Sequence, residues 1–296
     1  MFKPRFVTLL IIPLFVIVGC SKLSPPPVQT LSEAEKKFNQ ICQEEYNFTP
    51  VVFRLTNTVW IYIPLEQNIF EFKVSDKGPS SSTQASKSFA INYLEGQFAN
   101  GQFMIQYDIG AVKKYAKDPG YSTSYTEEFQ KKQRGILTAV FRAYAELPTD
   151  KRSPDMAPDF FVLVIADIKT GLETKTIFYF PDFKRAMTDQ FFYEEFTRRT
   201  VSDDPIGQNH IIDDRNGAHL NPTEITLPEF LAKQIVFRIR YKFQRSDFPP
   251  DGDIREEITK IISETLANYN FRDSESIELE DLTTGEKKII EKQNLK

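Results

Sequence analysis

The sequence predicts an α+β fold, antiparallel sheets with helices packed on one face, and three observations carry that prediction. Capping-box matches open apolar stripes at helical spacing. Glycine-bearing turns separate short runs of alternating β-branched and aromatic residues. Helical and hairpin segments then follow one another repeatedly along the chain. The 296 residues are 41% hydrophobic and include 26 phenylalanines, enough for a packed core, which excludes a wholly disordered chain.

At the start of the chain, Lys3 and Arg5 precede a 13-residue apolar run, 6–18, that closes at Gly19-Cys20. A basic start, a short apolar run and a small residue, in that order, are the layout of an export signal. At about 1.5 Å per helical residue the run falls short of the roughly 20 residues that cross a bilayer, and Pro13 interrupts it. It is therefore not read as a permanent transmembrane helix. Ile17-Val18-Gly19-Cys20 resembles the lipobox of bacterial lipoproteins. The resemblance covers about the first 21 residues. It implies that 1–19 are a signal peptide and that Cys20 is lipidated, becoming the acylated mature N-terminus. Ser21, where inner-membrane retention places Asp, favours the outer membrane by the same resemblance. A cysteine thiolate is the nucleophile that accepts such a lipid, and two or three chains at ~0.8 kcal/mol per buried CH₂ anchor where one would not. The expected setting is the cell envelope, with the membrane as partner through the acyl chains and another envelope protein beside it. Cleavage removes Lys3 and Arg5 and no acid, taking the formal charge from −4 to −6. That balance argues against nucleic acid as a partner.

Residues 20–31 are the anchor and a tether, extended and semi-rigid through Pro25-Pro26-Pro27. Ser32 and Glu35 form a capping box, and Ala34, Phe38, Ile41 and Cys42 share one helical face, predicting a helix over 32–45. Runs 51–55 and 59–63 read as a hairpin around Thr56-Asn57-Thr58, and 69–74 as a further strand. Residues 76–88 hold almost nothing apolar and read as a loop. Asn100-Gly101 is the strongest hairpin signal, between 89–98 and 102–109. Ser124 and Glu127 predict a helix to about Leu147. Lys169-Thr170-Gly171 turns a second hairpin, 160–168 with 174–180, followed by a helix near 182–199 and an irregular stretch, 201–223. The alternation of Ile235, Phe237, Ile239, Tyr241 and Phe243 predicts a strand over 234–245. Asp253, Glu256 and the stripe Ile254, Ile258, Ile261, Ile262, Leu266 predict the last helix, and Thr283-Thr284-Gly285-Glu286 the last hairpin.

Asp167-Ile168-Lys169-Thr170-Gly171 echoes Asp281-Leu282-Thr283-Thr284-Gly285. This suggests a repeated strand-helix-hairpin unit, 102–180 against 234–291, and a division into a first α+β domain at 32–200, an irregular connection at 201–225 and a second, smaller unit at 226–296.

The chemistry-bearing residues are sparse. His210 and His219 lie in an Asp-rich stretch that fails calcium-loop spacing and lacks the zinc-hydrolase spacing, so it reads as a solvated loop. Nucleophile-elbow, Ser-x-x-Lys and glycine-rich phosphate motifs are absent, and no cofactor, metal or catalytic residue is assigned. With Cys20 acylated, Cys42 is left as a buried, inert thiol. On the expected strand 234–245, Arg238, Arg240 and Lys242 share the face opposite the apolar set. They are the candidate ligand-binding residues, a basic stripe for phosphate, lipid headgroup or acidic glycan. The aromatics Phe178, Tyr179, Phe180, Phe183, Phe191, Phe192, Tyr193 and Phe196 read as core, or else as a groove. The sequence thus points to a lipid-anchored envelope protein with a non-catalytic binding or assembly body. The alternatives are a secreted hydrolase with carboxylates from distant positions and a module that accepts an added peptide strand.

Overall fold

Ser32 Oγ accepts from the Glu35 backbone N–H at 3.3 Å while Glu35 Oε2 accepts from the Ser32 N–H at 2.8 Å, so the first capping box closes as expected and starts α1, Glu33–Tyr46. The computed structural model describes residues 32–74, 89–111, 121–147, 156–203, 205–244, 248–249 and 251–291. The expected signal peptide at 1–19, Cys20, the expected tether and the expected loop at 76–88 lie outside the described residues.

Two sheets organise the chain. In the first, β1 (Val51–Arg54) and β2 (Thr58–Leu65) form the expected hairpin, as do β7 (Phe160–Asp167) and β8 (Leu172–Tyr179), and β2 joins β7 in parallel. The short β9 (Val201–Ser202) and β10 (Ile206–Gly207) add to β8. In the second, β4 (Phe89–Ala99) and β5 (Gln102–Ala111) turn at Asn100-Gly101, β11 (Ser276–Asp281) pairs antiparallel with β12 (Glu286–Glu291), and β5 joins β11 in parallel. Each sheet is thus two antiparallel hairpins joined by one parallel pair, so the α+β class holds with mixed sheets. A separate two-stranded ribbon pairs β3 (Phe70–Val74) with β6 (Tyr121–Tyr125).

The helices decide which faces are dry. α1 packs on α2 (Glu127–Tyr144), and both cover the first sheet on the face of Val59, Ile61, Ile63, Phe161, Leu163 and Ile165. The opposite face, with Tyr62, Val162 and Val164, meets Ile211, Ile225 and the start of α5 (Leu227–Phe243). Every residue of β7 is therefore buried, which is why its sequence is a continuous apolar run rather than an alternation. The second sheet is covered on one face only: Phe103, Ile105, Tyr107, Ile109, Ile277 and Leu279 pack against α5 and α6 (Ile254–Asn268), while alternate residues face solvent.

Three expectations are corrected. The helix after β6 is capped by Thr126, whose Oγ1 accepts from the Phe129 N–H at 3.2 Å, and Ser124 lies in β6. The helix expected at 182–199 is two, α3 (Phe180–Met187) and α4 (Tyr193–Arg199), parted where Asp189 takes a positive φ of 57°. Of the strand expected at 234–245, residues 234–243 are the C-terminal part of α5 and Gln244 is its C-cap. Residues 235, 239 and 243 fit a period of two and a helical i, i+4 stripe equally well. The choice falls to helix because Thr226 and Glu229 form a capping box upstream and no turn interrupts 227–243. The strand-helix-hairpin unit therefore does not recur in that form: among the described residues 102–180 holds strands, a helix and a hairpin, and 227–291 two helices and a hairpin. Residues 226–296 also share a sheet with 32–200 through β11 and β5. Among the described residues no helix is long and apolar enough to cross a membrane.

Candidate functional site

The helical geometry of α5 rearranges the basic stripe. Arg238 and Lys242 lie four residues apart and share a face, as do Phe237 and Tyr241, whereas Arg240 sits about 200° around the axis from Arg238. Phe237, Arg238, Tyr241 and Lys242 line one side of a groove of about 650 Å³. α4 supplies Tyr193, Glu194, Thr197 and Arg198, and α6 supplies Glu257, Lys260, Ile261 and Glu264. Arg240 is outside this lining. The structure thus brings together two of the three basic candidates and separates the third.

Both groove cations from α5 are already answered. Arg238 donates from Nη1 to Thr265 Oγ1 at 2.8 Å and from Nη2 to Glu264 Oε2 at 3.2 Å. Lys242 Nζ is 3.5 Å from Glu257 Oε1. These pairs fasten α5 to α6 at the rim of the groove, and as part-exposed ion pairs each is worth about 1 kcal/mol or less. The aromatic set divides between core and surface: Phe178, Phe180, Phe183 and Phe196 are buried, whereas Phe192 is 84% and Tyr193 49% exposed. Tyr241 is 47% exposed. A wider depression of about 1020 Å³ runs along α6 past Phe248, Arg255 and Lys288, but apart from Phe248 its lining holds no large apolar side chain.

The second polar centre lies in the Asp-rich stretch expected to be a solvated loop. The His219 side chain is only 7% exposed, with Nδ1 2.5 Å from Asp214 Oδ2 and Nε2 2.8 Å from Glu173 Oε2. Tyr62 stacks edge-on against the ring and donates from Oη to the Asp214 carbonyl at 2.6 Å. Burial, with the Asp214 and Glu173 carboxylates nearby, pushes the Tyr62 phenol up, so it stays a donor. The two carboxylates meet opposite nitrogens of the ring and do not converge on one point. Among the described residues no group of three or more His, Cys, Asp or Glu side chains is placed to hold a metal ion. Both ring nitrogens being engaged and enclosed, His219 clasps the segment after β10 to β8 rather than serving as an accessible base.

The other buried carboxylates have similar duties. Asp167 Oδ1 accepts from the Lys169 and Thr170 N–H groups, tying the β7–β8 turn. Asp182 accepts from Tyr269 Oη at 2.8 Å and lies 3.5 Å from Arg199 Nη1, while Gln234 Nε2 donates to the Arg199 carbonyl at 2.6 Å. Glu35 belongs to the first capping box. Cys42 is free and buried, its thiol pushed up to about 12 by burial, which makes it inert. Cys20 lies outside the described residues.

Compared with protein-family models, curated protein sequences and solved structures, the chain matches none of them. The groove does not follow from the sequence, because the alternation over 234–245 fits a strand as well as a helix. Nor does the His219 clasp, because Glu173 is 46 residues distant. The one local signal for the clasp is an Asp five residues before a His.

Proposed function

We propose that this protein is a bacterial lipoprotein, held in the cell envelope by acyl chains on Cys20, whose body is a non-catalytic binding or assembly module. The observation that carries the anchoring is the order of residues at the N-terminus: Lys3 and Arg5, the apolar run 6–18, then Gly19-Cys20. The outer membrane is favoured over the inner because Ser21 follows the cysteine. The binding role rests on the α4–α5–α6 groove, whose volume is within the range of small-ligand sites and whose rim holds half-exposed aromatic rings. A hydrolytic role has less support, since Glu35, Asp167, Glu173 and Asp182 are each engaged in caps, turns or buried pairs.

Intact mass and membrane fractionation of the native protein beside a Cys20→Ala variant test the anchoring. Wild type is expected to gain the mass of its acyl groups and to sediment with membrane, and the variant to do neither. Two soluble, unmodified proteins would remove the lipoprotein reading.

A further inference from the structure

The groove between α4, α5 and α6 carries charge that the fold itself does not use. Its lining has four cations, Arg198, Arg238, Lys242 and Lys260, and three acids, Glu194, Glu257 and Glu264. Two of each cancel in the Arg238–Glu264 and Lys242–Glu257 pairs. Among the described residues, Arg198 and Lys260 have no ion-pair partner, although Glu256 and Glu264 stand four residues either side of Lys260 on α6. Glu194 is the one unpaired acid. Unpaired cations therefore outnumber unpaired acids two to one in this groove, on a chain of formal charge −4.

Beside those cations stand flat, half-exposed rings. Tyr193 comes from α4 and Tyr241 from α5, while Phe237 lies half-buried and Ile261 buried among the lining residues. Rings exposed in this way offer an apolar face to a flat partner and a phenolic tip to water. The shape narrows the choice further. The groove is concave, which a bilayer surface does not enter, and open to solvent, which leaves an acyl chain wet. Its walls are helices, so an extended peptide finds no strand edge to pair with.

We propose that the α4–α5–α6 groove binds an acidic saccharide, with sugar rings against Tyr193 and Tyr241 and carboxylates at Arg198 and Lys260. This rests on the reading of the body as a binding module and names the ligand class for that site. Arginine and lysine both suit carboxylates, the arginine bidentately.

The test is calorimetric titration of the mature lipoprotein in detergent with tetragalacturonate, a peptidoglycan disaccharide-tetrapeptide, chitotetraose and hexaglutamate. At least one acidic saccharide is expected to bind at least tenfold more tightly than neutral chitotetraose. An Arg198→Gln/Lys260→Gln variant is expected to reduce that preference to less than about twofold, and Tyr241→Ala to weaken saccharide binding about tenfold, or roughly 1.4 kcal/mol. Arg198, Lys260 and Tyr241 are exposed, so unchanged melting curves would show that the variants remain folded. Equal binding of chitotetraose, or a preference that survives the double variant, would overturn the proposal. Hexaglutamate binding in place of both acidic saccharides would overturn the saccharide class while leaving the binding module in place. Loss of the anchored reading itself is seen separately, in the Cys20→Ala fractionation.

Discussion

An imidazole enclosed between two carboxylates ties together the chain segments that carry them. At His219 both ring nitrogens face carboxylate oxygens, Nδ1 that of Asp214 and Nε2 that of Glu173. Burial alone would raise the Asp214 carboxyl. The His219 ring and the backbone N–H groups of His219, Ala218 and Asn216 outweigh burial and hold it at about 2. A depressed carboxylate contributes stability that is fully present above its unfolded value, near 4, and is lost as pH falls toward 2. That contribution is on the order of 2 kcal/mol. Acid titration followed by amide exchange should therefore show the 213–219 segment loosening between about pH 4 and pH 2. Asp214→Asn should abolish that transition. His219→Leu leaves two buried carboxylates without the ring and should cost about 3 kcal/mol in urea unfolding; a cost below about 1 would show that the clasp is solvated. Only the Asp214–His219 spacing was local; Glu173 lies 46 residues away, and without it the Asp-rich stretch reads as solvent-facing.

Among the elements, the two Asp-x-x-Thr-Gly turns show how much local chemistry was legible and where it stops. In each, the aspartate accepts from the backbone of the next two or three residues: Asp167 from Lys169 and Thr170, Asp281 from Thr283 and Thr284. Gly171 and Gly285 both take φ of +73°. Their surroundings differ, because a Cβ at Gly171 would lie 2.7 Å from the Gln208 carbonyl oxygen, whereas one at Gly285 would meet nothing within 4 Å. Gly285→Ala should therefore cost roughly 1 kcal/mol of backbone strain. Gly171→Ala should cost about 1–3 kcal/mol more, since backbone must move. Paired urea melts check this, and equal costs would mean that the Gln208 segment yields freely. The same limit explains α5: its period-two alternation was real, but the upstream cap and the packing of 235, 239 and 243 settled it as helix.

At the scale of the whole molecule, the chain returns to its own middle. β11 enters beside β5 after more than 160 intervening residues, and α5 packs on β4, so Leu31–Lys296 forms one compact unit. A fragment covering 32–225 would lack β11, α5 and α6, and so would expose Phe103, Ile105, Tyr107 and Ile109 on the inner face of β5. It should run as aggregate or bind hydrophobic dye on size exclusion. A well-behaved monomer would show that β4 and β5 are stable without their later partners.

Sequence by itself determined the hairpin turns, the Ser32–Glu35 capping box, the Asp253 cap and the apolar stripe of the last helix, because each depends on residues within a few turns of each other; the N-terminal order ending at Cys20 is a matter of sequence alone. Tertiary structure decided the parallel joins between hairpins, the helical state of 234–243, the enclosure of His219 and the meeting of α4, α5 and α6 around a groove. Each of those rests on contacts between distant segments, where loop closure and burial, rather than local propensity, set the outcome.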